Sequence, residues 1–283
     1  MSFSSGVKER LCECRGKCAN CVAAETAGIL LFGGRVSGGI QFTTENEKIA
    51  KRLQRDIYES AGLETEYVKK PGANQFNIDG AAAETVKKAV DWMPRAKRCC
   101  KSAYARGAFL GGGSVTDPKR SYHLEMNTRD AEQIGVLKEI FEQGGIAVKI
   151  TRRKDMYVAY IKDCETIADA LGFMGAQSMA LDMFSIQVEK ELRNGINRRV
   201  NCETANTDKL ITASSKHLAA IQKIKTAGKW SKLPETLREI GELRERYPEV
   251  SLKELGEKTN PPIGKSGVNH RLNRIIKIAE DEK

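Results

Sequence analysis

Two stretches decide the fold: Thr26-Ala27-Gly28-Ile29-Leu30-Leu31-Phe32-Gly33-Gly34-Arg35-Val36 and Ala105-Arg106-Gly107-Ala108-Phe109-Leu110-Gly111-Gly112-Gly113-Ser114-Val115. Each is a helix-like run of small and apolar residues that ends in paired glycines. The segments downstream of each run also match. Phe42-Thr43-Thr44 precedes the amphipathic run Ile49, Leu53, Ile57, and Gly62-Leu63 opens the next expected strand. In the second half His123-Leu124-Glu125-Met126 precedes Ile134, Leu137, Ile140, and Gly145-Ile146 opens the next. The pairs Ile57/Ile140, Tyr58/Phe141, Glu59/Glu142 and Gly62/Gly145 fall at one constant offset. Alternation in Ile146-Ala147-Val148-Lys149-Ile150 and Tyr157-Val158-Ala159-Tyr160-Ile161 predicts strands. The glycines fit helix C′ caps, because glycine takes positive φ at little cost. A diverged internal repeat is therefore expected in the first part of the chain.

The 283 residues suffice for two domains or three small ones, and 40% hydrophobic with 30% charged residues is a globular composition. No apolar run approaches the ~18 residues of a membrane span. Met1-Ser2-Phe3-Ser4-Ser5 has neither the basic nor the apolar segment of a signal peptide. A cytoplasmic, nucleoid-associated location without membrane contact is expected. The net charge of +10 favours a polyanionic partner.

Beyond about residue 186 the chain reads as helical, with Lys190, Arg193, Arg198 and Arg199 as a basic cluster. The expected organisation is a Cys-rich segment over 1–22, a repeated α+β domain over 23–185 (repeats about 23–95 and 99–185), a helical linker over 186–232, and an all-α domain over 233–283. In the last, Pro234 fits a helix N1 position, Leu237, Ile240 and Leu243 give one apolar face, and Tyr247-Pro248 stops the helix. Ser251-Leu252-Lys253-Glu254 is a capping box that starts a second helix. Asn260-Pro261-Pro262 breaks it, and in a third helix Val268, Leu272, Ile275 and Ala279 form one buried stripe. At about 100° per residue, Ser266, His270, Asn273, Arg274 and Lys277 lie opposite that stripe, with Asn269 and Arg271 on its flanks. From Ile263 to Ala279 there are four basic residues, Lys265 among them, and no acid. This is a helix-turn-helix pattern whose third helix would enter the major groove of double-stranded DNA, with Ser and Asn reaching base edges and Arg and Lys reaching bases or phosphates. The same pattern also describes the solvated face of an ordinary helical hairpin. Gly264-Lys265-Ser266 is not a phosphate loop, because Thr259 stands where the first glycine is needed and no strand precedes it.

The repeat helices resemble the LAGLIDADG motifs of homing endonucleases. The whole chain, through Val200-Asn201-Cys202-Glu203-Thr204-Ala205-Asn206 and Lys265-Ser266-Gly267-Val268-Asn269-His270-Arg271-Leu272 above all, resembles the WhiA family of bacterial regulators. The resemblance implies a two-lobed LAGLIDADG-like domain tethered to a helix-turn-helix. It also implies roles in transcription, cell division, chromosome segregation and, in spore formers, sporulation. A partner regulator is implied too; in actinobacteria that is the iron–sulfur protein WhiB, which requires an actinobacterial source. LAGLIDADG nucleases cut through an acid at the penultimate motif position, which holds a divalent metal at the scissile phosphate. Gly33 and Gly112 occupy those positions, and Asp117 lies too far along to replace them. A non-enzymatic regulator is therefore expected, with an active nuclease and a protein-interaction scaffold as alternatives. Lys149, Arg152 and Arg153 on the expected sheet are either DNA contacts or solubility charges.

Eight cysteines remain. No cofactor or metal is assigned. The open alternative is a structural zinc on Cys12, Cys14, Cys18 and Cys21, or an iron–sulfur cluster there, against unliganded thiols. A cysteine protease is not expected, since His123, His217 and His270 sit in no recognisable nucleophile setting.

Overall fold

The computed structural model describes residues 2–36, 38–79, 86, 88 and 91–281. The two quoted stretches end helices α2 (Ala19–Gly33) and α4 (Arg98–Gly112), which make the most extensive helix–helix contact among the described residues. They run side by side in the same direction with backbones touching. A Cβ on Gly28 would stand 2.7 Å from the Ala108 nitrogen, and one on Gly107 would stand 2.9 Å from the Glu25 carbonyl carbon. The capping residues Gly34 and Gly113 have φ of −91° and −96°, which is extended backbone. The expectation of positive φ at these helix ends is thus corrected: the glycines there serve close approach, not left-handed geometry.

Each repeat helix leads into a four-stranded antiparallel sheet. The first sheet has β1 (Gly34–Val36), β2 (Ile40–Thr44), β3 (Val68–Lys70) and β4 (Ala73–Ile78) in the order β1-β2-β4-β3. The second has β5 (Gly113–Val115), β6 (Leu124–Thr128), β7 (Lys149–Arg153) and β8 (Met156–Ile161) in the order β5-β6-β8-β7. Between the inner strands lie α3 (Glu47–Ala61), capped by Asn46, and α5 (Ala131–Gln143), capped by Asp130. The strands expected to open at Leu63 and Ile146 begin later, at Val68 and Lys149. Ile146 and Val148 are buried ahead of the strand, so their alternation reflects packing of an extended segment rather than ladder pairing. The first unit also holds α1 (Phe3–Cys12), whose Val7 and Leu11 are fully buried, and α6 (Cys164–Met174).

Glu25 of α2 sits 1% exposed between two guanidiniums. Arg106 of α4 donates to it at 2.6 and 2.9 Å, and Arg52 of α3 at 2.9 Å. Arg52 also donates to the Cys12 carbonyl, and Arg106 to that of Met174. Buried charge is tolerated here because every partner is present. The cysteine grouping over 12–21 is corrected as well. Cys14 faces the Gly175 carbonyl at 3.4 Å, and burial pushes the Cys12 thiol up to about 11, whereas Cys18 and Cys21 meet Cys99 and Cys100.

The chain divides into two compact units, residues 1–191 and 192–283, and the division falls inside the 50-residue helix α7 (Gln177–Thr226). The second unit contains the end of α7, then α8 (Glu235–Arg246), α9 (Leu252–Glu257) and α10 (Lys265–Asp281). Pro234 is the N-cap of α8 rather than its first helical residue. The capping box forms: Glu254 N–H donates to Ser251 Oγ at 3.3 Å, and Ser251 N–H to Glu254 Oε2 at 2.8 Å. That contact with Ser251 holds the Glu254 carboxyl below its ordinary range. Ile221, Ile224, Leu237, Ile240, Leu255 and the stripe Val268, Leu272, Ile275, Ala279 form the core of this unit. No helix among the described residues is long and apolar enough to cross a membrane.

Candidate nucleic-acid interface

The buried stripe fixes which face of α10 meets solvent. Lys265, Ser266, Asn269, His270, Asn273, Arg274 and Lys277 are all exposed. Arg271 departs from them: it is half-buried, and its guanidinium lies 3.8 Å from Glu239 of α8. Glu239 also accepts the Asn260 N–H at 2.8 Å, so this corner ties the turn before α10 to α8. The outer face is therefore cationic and amide-rich, while its one inward arginine is an orienting contact.

Asn269, Asn273 and Ile276 form one wall of a groove of about 460 Å³, and Asp208, Lys209, Thr212 and Lys216 of α7 form the other. Lys209, Thr212 and Lys216 recur at i, i+3, i+7, which is one helix face. They fall within the helical linker expected over 186–232, and their same-face spacing is the signal the sequence carries for them. Beneath the groove His217 is 5% exposed, and its Nδ1 has no hydrogen-bond partner among the described residues. Burial first, and the Arg244 charge second, lower its pKa to about 4. Arg244 is itself buried and donates to the carbonyls of Tyr247, Pro248 and Val250 at 2.9–3.3 Å. Ser214 Oγ donates to the same Pro248 carbonyl at 2.7 Å. These bonds lock the connection that leads into α9 and so set the pose of α10.

In the first unit the two glycines at the acid positions end their helices at matching points. A Cβ at Gly33 would stand 2.7 Å from the Gly111 oxygen, and one at Gly112 would stand 2.8 Å from the Phe32 oxygen. Neither position has room for a side chain of any kind. Asp117 is held in a turn by the Lys119 N–H at 2.8 Å. The basic residues of the second sheet do not form one cluster. On the edge strand β7, Lys149 and Arg153 point to one face and Arg152 to the other, and Arg153 pairs with Glu125 at 3.0 Å. In the basic run of α7, Lys190 donates to the Pro118 carbonyl at 2.7 Å and lies over the Tyr122 ring.

A two-lobed α+β unit of LAGLIDADG-like fold, followed by a helical unit with a helix-turn-helix, defines the class of protein. Residues 196–279 match the WhiA C-terminal HTH domain, and residues 101–193 match the WhiA LAGLIDADG-like domain. A probable cell division protein WhiA of Alkaliphilus metalliredigens is 39% identical over 313 aligned positions, covering 100% of this chain and 99% of that one. The protein of the same description from Clostridium tetani is 38% identical, covering 99% and 98%. The chain belongs to the WhiA family. A crystal structure of full-length WhiA from Thermatoga maritima matches with a TM-score of 0.62 at 27% identity and covers 99% of both chains.

Proposed function

We propose that this chain is a DNA-binding regulator of cell division that docks α10 in the major groove of duplex DNA. The observation that carries the reading is the acid-free exposed face from Lys265 to Lys277 on a fully buried apolar stripe. Ser266, Asn273 and Arg274 are the base-reading candidates, with Lys265, His270 and Lys277 beside them. Asn269 sits at the groove, where Lys209 and Lys216 of α7 are placed to reach phosphates. Arg271 acts by holding α10 against α8. The LAGLIDADG-like unit serves as a scaffold without nuclease activity, since both acid positions are closed glycines and a metal-assisted cut needs carboxylates there. By this reading the chain works at the nucleoid on transcription, on chromosome segregation and, in a spore-forming source, on sporulation. Its relatives' description as cell division proteins supports the process, and the helix-turn-helix supports the ligand. A chromatin occupancy map tests it. Sharp, sequence-specific peaks that vanish in an Asn273→Ala/Arg274→Ala double variant are expected; broad binding that survives the substitutions would overturn it.

A second reading, docking of a partner regulator protein, is favoured by one observation. Leu192, Ile196 and Val200 recur every four residues along the second unit's part of α7 and are 52–64% exposed. Leu192→Glu in the full chain should abolish partner capture while leaving DNA affinity intact.

A further inference from the structure

The four sulfurs of Cys18, Cys21, Cys99 and Cys100 lie within 4.8 Å of one another. Cys18 and Cys21 are 3.4 Å apart, Cys18 and Cys100 3.6 Å, Cys21 and Cys100 3.9 Å, and Cys99 and Cys100 4.0 Å. All eight cysteines of the chain are free thiols. A zinc ion at about 2.3 Å from each of four thiolates sets them at the corners of a tetrahedron with edges of about 3.8 Å. The observed separations scatter around that edge. An iron–sulfur cluster does not fit: a four-iron cluster takes each cysteine on a different iron and a two-iron cluster takes two well-separated pairs, whereas Cys18, Cys21 and Cys100 all lie within 3.9 Å of one another.

The fold explains why these four converge. Cys18 is the N-cap of α2 and Cys21 its third residue, with the Cys21 N–H donating to the Cys18 carbonyl at 2.9 Å. Cys99 and Cys100 are the second and third residues of α4. Cys21 and Cys100 occupy equivalent places in the repeat, at the offset that relates Gly28 to Gly107 and Gly33 to Gly112. The parallel pairing of α2 and α4 therefore brings both helix starts to one point. Neither helix has a side-chain cap, so first-turn N–H groups of both are left to face negative charge at the thiolates. Arg95, Lys97 and Arg98 stand beside the cluster, and Lys17 is next to Cys18 in the chain. A zinc with four thiolates carries a net charge of about −2, which these cations offset.

We propose that Cys18, Cys21, Cys99 and Cys100 bind one zinc ion as a closed structural site. Four thiols lose their protons to solvent as four zinc–sulfur bonds form, with no change of oxidation state. The ion pins the starts of the two repeat helices together at the end opposite Gly33 and Gly112. Cys12 and Cys14 take no part.

The test is elemental analysis of the full chain purified without added metal, together with single serine variants. One zinc per chain is expected in the wild type, in Cys12→Ser and in Cys14→Ser, and loss of zinc in Cys18→Ser and Cys99→Ser. Because a variant lacking the ion could fail to fold, the wild type is also stripped with a chelator and refilled with cobalt(II). The thiolate-to-cobalt bands of a tetrahedral four-sulfur site should then appear. Stripping should lower the melting temperature of the first unit by about 10 °C, the shift for emptying a site held at about a thousand times its Kd. Metal-free protein, a Cys18–Cys21 disulfide in freshly isolated chain, stoichiometric iron, or zinc lost on Cys12→Ser would each overturn the proposal.

Discussion

Mild acid should loosen the second unit, and His217 should be the cause. The imidazole is 5% exposed and has its pKa lowered, by burial first and the Arg244 charge second, to about 4 against about 6.5 in an unfolded chain. Between those values the unfolded state binds the proton and the folded state does not, so stability rises with pH. The contribution is fully present above about pH 6.5 and is lost as pH falls towards 4. From that difference the loss is about 1.4 kcal/mol at pH 5.5 and approaches about 3 kcal/mol near pH 4. The chain has two tryptophans, and Trp230 lies in the second unit, so Trp92→Phe leaves a reporter of that unit alone. Urea unfolding of this variant at pH 7.5 and 5.5 should show the midpoint falling at lower pH. In His217→Gln the difference should shrink to a few tenths of a kcal/mol, because neutral glutamine does not titrate. An unchanged pH dependence in His217→Gln would refute the reasoning, whatever that substitution does to absolute stability.

Glu25→Gln should destabilise the first unit by about 3–5 kcal/mol, since it strips the buried Arg106 of its carboxylate and leaves Arg52 with Asp56 alone at 3.4 Å; thermal unfolding of the full chain measures it. Ser251→Ala should cost the second unit about 1 kcal/mol in urea melts through loss of the α9 cap, and weaken DNA binding only by way of stability. The clean wild-type protein should leave supercoiled plasmid intact with magnesium or manganese. Gly33→Asp and Gly112→Asp should lower the yield of folded protein without creating cleavage, because their side chains would collide with the Gly111 and Phe32 carbonyls. Chelator-sensitive nicking by the unaltered protein would defeat the scaffold reading.

Sequence patterns were most informative where one physical rule acts locally. The stripe Val268, Leu272, Ile275, Ala279 had to be buried on one helix face, and the Ser251–Glu254 box had to start a helix; both are as read. The two glycine-ended helices also stood out, but the reason for their glycines did not. Only the parallel approach of α2 and α4 reveals that Gly28 and Gly107 are contact points. Strand starts at Leu63 and Ile146 were misplaced because alternation marks any extended, half-buried segment, paired or not. The cysteines show the same limit. Proximity in sequence grouped Cys12 and Cys14 with Cys18 and Cys21, whereas the repeat's symmetry brings in Cys99 and Cys100 from far along the chain. Arg271 looked like its neighbours on α10 until Glu239 of another helix claimed it.

The central claim is that the outer face of α10 reads DNA. Binding of the full chain to a duplex enriched from genomic fragments, followed by fluorescence anisotropy across a salt series, tests it most directly. For Lys277→Ala, loss of a phosphate contact predicts weaker binding and a log K against log salt slope shallower by about 0.9, and Asn273→Ala and Arg274→Ala should narrow the gap between specific and random duplex. If all three variants keep the wild-type affinity, slope and sequence preference, α10 is not the reading head and the account fails.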